Sequence, residues 1–202
     1  MQAVVVSATL SEEVLYVANS FLRDPVKILV PVKQVPLKSI KQFYVDCEKP
    51  ELKSGVLCDL YNSLSINTSL IFCNTRDSAE RLAAQMEADS FSVSVIHSDL
   101  DPQDRVQTMK DFRNGTTRVL ICTDVLARGI DVQQVSIVVN YDLPREHANY
   151  IHRVGRGGRH QRHAVAINLV AGPRDEQTIC DIERFYGIEI PELPADIDSQ
   201  LL

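Results

Sequence analysis

The chain is poor in the features that would make it a disulfide scaffold, a membrane protein or a basic nucleic-acid coat. Its five cysteines (Cys47, Cys58, Cys73, Cys122 and Cys180) are odd in number and include no C-x-x-C pair, which argues against both a disulfide framework and a zinc site. Cys73 and Cys122 sit in apolar, strand-like runs, the setting of buried reduced thiols. No apolar run approaches the length of a membrane span, and the N-terminus carries no basic-then-apolar leader. The expectation is a soluble intracellular protein, cytoplasmic, with the nucleus as a second compartment. Positive charge is also scarce. A net charge of −6 and a pI near 5.4 exclude a broad basic face, so any nucleic acid must be met by a few placed groups. There are no internal repeats, no low-complexity segment and no phosphate-cradling G-x-x-x-x-G-K-[ST] loop.

What the chain does have is enough apolar residue, 45% of 202, for one well-packed domain with an appendage. Gln2 to Val6 reads as a short buried strand, followed by Ser7-Ala8-Thr9. Ser11 is placed to cap a helix whose apolar positions run from Val14 to Leu22, with Glu12 and Glu13 suiting its start and Pro25 beyond its end. Pro31 and Pro36 punctuate a partly extended linker. From Ile40 the pattern becomes regular. Strands are expected at 40–47, 70–73, 93–96, 119–122, 135–139 and 164–169. Between and after them, helices are expected at 52–64, 77–88, 102–113 and 173–186. Pro102 opens one helix, and Gly115 and Gly187 lie just past two others. Strands that are nearly continuous in apolar residues and alternate with helices predict an α/β fold, a parallel sheet with helices on both faces. Ligands of such sheets bind at the carboxyl ends of the strands. That is where Asn74-Thr75-Arg76, His97-Ser98-Asp99, Thr123-Asp124 and Asp142 fall.

One stretch concentrates chemistry: Tyr150-Ile151-His152-Arg153-Val154-Gly155-Arg156-Gly157-Gly158-Arg159. Arg153, Arg156 and Arg159 recur at every third residue, which on a helix or tight turn keeps them roughly on one side. Guanidinium groups grip phosphate bidentately and stay charged at any working pH. Gly155, Gly157 and Gly158 let the backbone turn sharply or approach a ligand. Such a cluster suits polyphosphate; taken alone, it also fits a solvated basic loop.

This stretch resembles motif VI (His-Arg-Ile-Gly-Arg-x-x-Arg) of the DEAD-box ATP-dependent RNA helicases, with Val154 in place of Ile. Ser7-Ala8-Thr9 resembles motif III of that family, Leu70-Ile71-Phe72-Cys73-Asn74-Thr75-Arg76 motif IV, and Thr123-Asp124-Val125-Leu126-Ala127-Arg128-Gly129-Ile130-Asp131 motif V. The four occur in order and span the chain. Within the family, Val125 to Pro144 is most similar to the initiation-factor branch.

The resemblance implies a RecA-like domain over 37–202, preceded over 1–36 by the last strand-helix piece of a first RecA-like domain and a linker. It implies Arg159 as the arginine finger reaching the γ-phosphate of ATP, Arg156 supporting the same phosphates, His152 coupling two domains, and Asp131 on the ATP ribose. Thr75, Arg105 and Thr123 would contact RNA phosphates, holding a strand without reading its sequence. Neither a P-loop nor an Asp-Glu-Ala-Asp box occurs. ATP's phosphate cradle and its Mg would therefore belong to a first domain, and the chain alone is expected to be inactive. Partners implied are RNA, that first domain and a scaffold protein of the initiation-factor type, in the process of translation initiation.

Departures from the family pattern fall on the RNA side. Ser98 stands where glycine is usual, Pro102 takes the glutamine position before Arg105, and His160 to Ala164 departs from the usual motif VI sequel. Weak RNA affinity is the expectation. An alternative reading is a stand-alone module that binds RNA or a scaffold protein and keeps relic motifs. The apolar N-terminal segment, left without strands beside it, is expected to fold back on its own domain or to drive self-association of the fragment.

Overall fold

The computed structural model describes residues 2–7, 12–29, 40–64, 66, 68–124, 135–157 and 164–194. The chain divides into two compact units, Met1–Val35 and Pro36–Leu202.

In the first unit, α1 (Glu12–Phe21) forms as its apolar spacing predicts and stops short of Pro25. The expected strand over 2–6 does not form: residues 2–7 have no regular structure and are exposed, Val6 at 89%. A strand is stable only beside other strands, and none pairs with this segment among the described residues. Ser11 and the linker prolines Pro31 and Pro36 lie outside the described residues.

The second unit is built on one sheet. Among the described residues its strands are β1 (Ile40–Asp46), β2 (Ser69–Cys73), β3 (Val93–Ile96), β4 (Val119–Thr123), β5 (Ile137–Asn140) and β6 (Ala164–Val170). They lie in the order β1-β6-β5-β2-β4-β3, and every pairing is parallel. This is the RecA-like α/β architecture expected. The helices among the described residues are α2 (Lys53–Ser63), α3 (Arg76–Ala88), α4 (Pro102–Arg113), α5 (His147–Val154) and α6 (Pro173–Tyr186). A single 3-10 turn at Pro50–Leu52 leads into α2.

The burial of each strand follows from its place. β2, β4, β5 and β6 are buried at every position, because a parallel sheet carries layers on both faces. Within β2 the side chains alternate. Ile71 and Cys73 join one apolar cluster with Ile121, Val139 and Ile167. Leu70 and Phe72 join the other with Leu120, Cys122 and Val138. The edge strands β1 and β3 are only partly buried. The outer edge of β1 is paired near its middle: Tyr44 N–H donates to Pro191 O at 3.0 Å, and Leu193 N–H donates to Tyr44 O at 2.8 Å. Proline sits on such an edge at no cost to the ladder.

Helix ends obey local chemistry. Thr75 Oγ1 caps α3 by accepting from Ser78 N–H at 3.1 Å, and Pro102 opens α4. Gly187, in the left-handed conformation (φ 64°), closes α6 with its N–H on Glu183 O. No described helix is long and apolar enough to cross a membrane.

All five cysteines are free; four are buried and Cys180 is exposed. Burial pushes the Cys73 thiol up to about 12 and raises that of Cys122 well above its ordinary value. At pH 8 these thiols therefore remain protonated, and the thiolate is the reactive form. Brief alkylation of the native chain at pH 8 should label Cys180 alone, and all five after unfolding in urea. Peptide mass mapping reads the outcome; rapid native labelling of Cys73 or Cys122 would contradict the packing.

Candidate functional site

All strands of a parallel sheet end on one side, and the polar loops gather there. The register aligns Cys73 with Thr123 and Ile96 with Cys122, so β2, β4 and β3 finish nearly level. Thr75, Thr123 and His97-Ser98-Asp99 therefore share one rim. Two residues past β5, Asp142 Oδ2 accepts from Asn74 N–H at 2.9 Å and from Ser78 Oγ at 3.0 Å, which ties the exits of β2 and β5 together. Lys53 Nζ extends this tie, donating to Tyr141 O at 3.1 Å and to Asp175 at 2.7 Å.

The centre of the rim is Arg153, on α5. Its side chain is completely buried. Nε donates to Asp124 Oδ1 at 2.6 Å and Nη2 to Asp124 Oδ2 at 2.8 Å, a two-point grip on one carboxylate. Nη2 also donates to Asn74 Oδ1 at 2.7 Å. Nη1 donates to Asp142 O at 2.6 Å and to Asn140 Oδ1 at 3.2 Å. A guanidinium has five N–H donors, and each of them has a partner here. The guanidinium carbon lies 5.3 Å from the centre of the Phe72 ring, within cation–π range. Arg153 thus joins the loops after β2, β4 and β5 to α5.

A line of buried amides carries this order across the sheet. Asn140 Nδ2 donates to Asn168 Oδ1 at 2.8 Å, and Asn168 Nδ2 donates to Phe43 O at 2.9 Å. The Tyr150 hydroxyl donates to Gln42 Oε1 at 2.8 Å; burial pushes this phenol well above its usual value, so it stays a neutral donor.

Arg153 and Arg156 do not share one side as their spacing predicts. α5 ends at Val154, and its buried residues are Tyr150, Ile151, Arg153 and Val154. Arg153 turns inward, because an acidic and amide-lined pocket satisfies all its donors. His152 and Arg156 are half-buried, and Arg156 Nε donates to His152 O at 3.0 Å. Arg159 and Asp131 lie outside the described residues. The turn after α5 is tight: a Cβ at Gly157 would stand 2.8 Å from Ala164 Cβ, so only glycine lets the segment lie this close to β6.

Of the expected RNA-facing residues, Thr75 follows β2 and Thr123 ends the neighbouring β4. Arg105 is half-buried on α4, the helix after β3. The Thr75 oxygen is engaged as the α3 cap, a bond in which its hydroxyl accepts and does not use its own proton. The composition of these loops was readable in the sequence; the roles of Arg153, Asn140 and Asn168 were not. The available signal was an asparagine inside an otherwise apolar strand, IVVN and AVAINLV, since a buried amide must find partners. Among the described residues no group of His, Cys, Asp or Glu could hold a metal ion.

Comparison with known proteins gives a consistent picture. Residues 52–161 match the helicase conserved C-terminal domain. The chain is 52% identical over 197 residues to eukaryotic initiation factor 4A of Drosophila melanogaster, covering 98% of this chain and 49% of that protein. It superposes on S. cerevisiae Dbp5 bound to RNA and ADP BeF3 with a TM-score of 0.88 at 37% identity, covering 96% of this chain and 52% of that one. The C-terminal domain of the DEAD-box protein Dbp5 aligns with a TM-score of 0.74 at 39% identity, over 82% of this chain and 98% of that domain. The chain spans about half the length of the curated relatives it matches.

Removing Arg153 leaves the Asp124 carboxylate and three further acceptors without their donor. Breaking a fully buried ion pair at one partner costs about 3–5 kcal/mol; with Asp124 30% exposed, the low end of that range applies. Urea unfolding of Arg153→Ala should show a loss of that size, and Arg153→Lys should recover only part of it, because an ammonium cannot reproduce the planar fork. A change below about 1 kcal/mol for Arg153→Ala would remove it from the centre of the site.

Proposed function

The chain belongs to the DEAD-box helicases and contains their conserved C-terminal domain, and on that premise we propose that it forms the arginine-bearing half of a composite ATP site and half of an RNA groove. The observation that carries this reading is the Arg153 cluster. One buried side chain holds the loops bearing Thr75 and Thr123, and the same helix carries His152, with Arg156 just beyond its end. A change at the RNA-facing rim is thereby mechanically joined to the segment that would meet the nucleotide.

In this reading Arg159 is the finger that meets the charge developing on the γ-phosphate, and Arg156 supports the same phosphates. His152 orients the two domains, and Asp131 accepts a hydrogen bond from the ribose. Mg would be held by the first domain and would supply charge neutralisation on the phosphates there. Thr75, Arg105 and Thr123 donate to RNA phosphates and fix the strand's position without reading bases. The task is ATP-driven unwinding of RNA in translation initiation, in the cytoplasm, with a scaffold of the initiation-factor type, a branch supported by the sequence from Val125 to Pro144.

Joined to a first domain that carries a P-loop, the chain should support RNA-stimulated ATP turnover. Arg159→Ala should then lose on the order of a thousandfold in kcat, the scale of a removed arginine finger. The chain alone should release no phosphate. Turnover by Arg159→Ala near that of the parent would remove the role given to Arg159.

The first unit supports a second expectation. Val4, Val6, Val26 and Ile28 are exposed at 74%, 89%, 90% and 86%, an apolar set of the kind that marks an association surface. Its natural cover is the first domain, and in that domain's absence a second copy. Light scattering should report dimers for the whole chain and monomers for a version beginning at Leu37; monomers in both cases would end the idea.

A further inference from the structure

Arg76 and Asp99 form an ion pair between two strand exits that are not neighbours. Arg76 follows β2, Asp99 follows β3, and β4 lies between them in the sheet. Because the three strands are parallel and end nearly level, the pair must pass above the exit of β4, where Thr123 sits. Two strand spacings, about 9.6 Å, separate the flanking exits, a gap that only a long side chain can span.

The acidic side of this bridge is held in place. His97 is 5% exposed, with its Nε2 3.2 Å from Glu80 Oε1, which pins the loop after β3 against α3. Leu100 N–H returns to His97 O at 3.4 Å, and the Leu100 side chain packs on the cluster around Phe112. Ser98 Oγ donates to Asp99 Oδ1 at 2.9 Å. The Ser98 hydroxyl and then the Arg76 guanidinium hold the Asp99 carboxyl below its usual range, so it is an anion at any working pH. Arg76 is also gripped by Asp77, Nε to Oδ1 at 3.1 Å. Its side chain is nevertheless 57% exposed and that of Asp99 45%.

We propose that Asp99 is a built-in competitor for RNA: its carboxylate occupies Arg76 in the free protein, and a backbone phosphate of single-stranded RNA takes its place. The inference rests on the RNA-groove reading above and adds to it a further phosphate-binding residue, Arg76, and the group that restrains it. A guanidinium donates to carboxylate and to phosphate through the same N–H groups, so a phosphate can take the place of Asp99 at Nη1 while Nε stays with Asp77. Solvent-exposed ion pairs contribute little net stability, so the exchange is reversible. Arg153 differs on both counts, being fully buried and fully satisfied. Arg76 also stands at the N-terminus of α3, one residue after the cap Thr75, where backbone N–H groups favour an incoming phosphate. The chain thus carries cationic groups for RNA under a net negative charge by masking one of them internally.

The test measures binding of a labelled oligouridine to the full 202-residue chain at low salt, across a salt series. Asp99→Asn should tighten binding several-fold and steepen the salt dependence by up to about 0.7 in log–log slope, the increment of one added phosphate contact on a single strand. Ser98→Ala, which only loosens Asp99, should produce a smaller gain. Arg76→Ala should weaken binding and abolish the gain when combined with Asp99→Asn. Asp104→Asn, an exposed acid in the first turn of α4, controls for the loss of one negative charge. Salt-sensitive binding in which Asp99→Asn does no more than Asp104→Asn would overturn the competitor alone. So would an Asp99→Asn gain that persists in the Arg76→Ala background. If neither the parent nor any variant binds the oligonucleotide, alone or joined to a first domain, the RNA-groove reading falls, and the competitor with it.

Discussion

The buried guanidinium of Arg153 is the constraint on which the site depends. Moving a charge of that size out of water costs several kcal/mol, and the attraction of one carboxylate repays this only if every remaining donor is also satisfied. Asp124, Asn74, Asn140 and the Asp142 carbonyl meet that condition. Such a network tolerates no half-measures, since a single absent acceptor would leave a donor stranded in a low-dielectric interior. Its members come from the exits of three strands and from a helix. The positions of those exits are therefore set jointly rather than loop by loop.

Two arginines of the same rim show how surroundings divide one chemistry into two uses. Arg153 lies over an aromatic ring with all donors engaged and cannot exchange partners without unfolding its neighbourhood. Arg76 holds its carboxylates in contact with solvent, where water and salt already compete for each partner. The first arrangement fixes geometry, and the second allows a ligand phosphate to replace a protein carboxylate. The parallel sheet makes both possible by bringing loops distant in sequence to one level edge. Phe72 serves both ends of this arrangement, filling one apolar face of the sheet and lying beneath the Arg153 guanidinium.

The alternation of apolar strands with helices, and the proline and glycine punctuation of helix ends, were legible because they report local backbone preferences and one-dimensional burial. The span of α4 follows from Pro102, Arg113 and Gly115 alone. The polar loops were placed at the carboxyl edge by the same logic, and the motif resemblance supplied roles for Thr75, Thr123, His152 and Arg156. The three-residue arginine spacing misled, because periodicity on a helix says which residues share a face only while the helix lasts, and α5 stops at Val154. The strand expected over 2–6 failed for a related reason: a strand's hydrogen bonds belong to its partner, and β propensity cannot provide one.

By itself, then, the sequence determined the parallel α/β architecture, the rim on which chemistry gathers, and the family. These depend on burial patterns and short motifs that each residue carries with it. Tertiary structure alone decided which arginine is buried and which is exposed, that Asn140 and Asn168 align in register to bridge the sheet, and that Asp99 reaches Arg76 past an intervening strand. Those facts turn on partners up to 125 residues apart, as in the bond from Asn168 to Phe43. A side chain's charge is written in the sequence, but its desolvation and its partners exist only once the sheet has assembled around it.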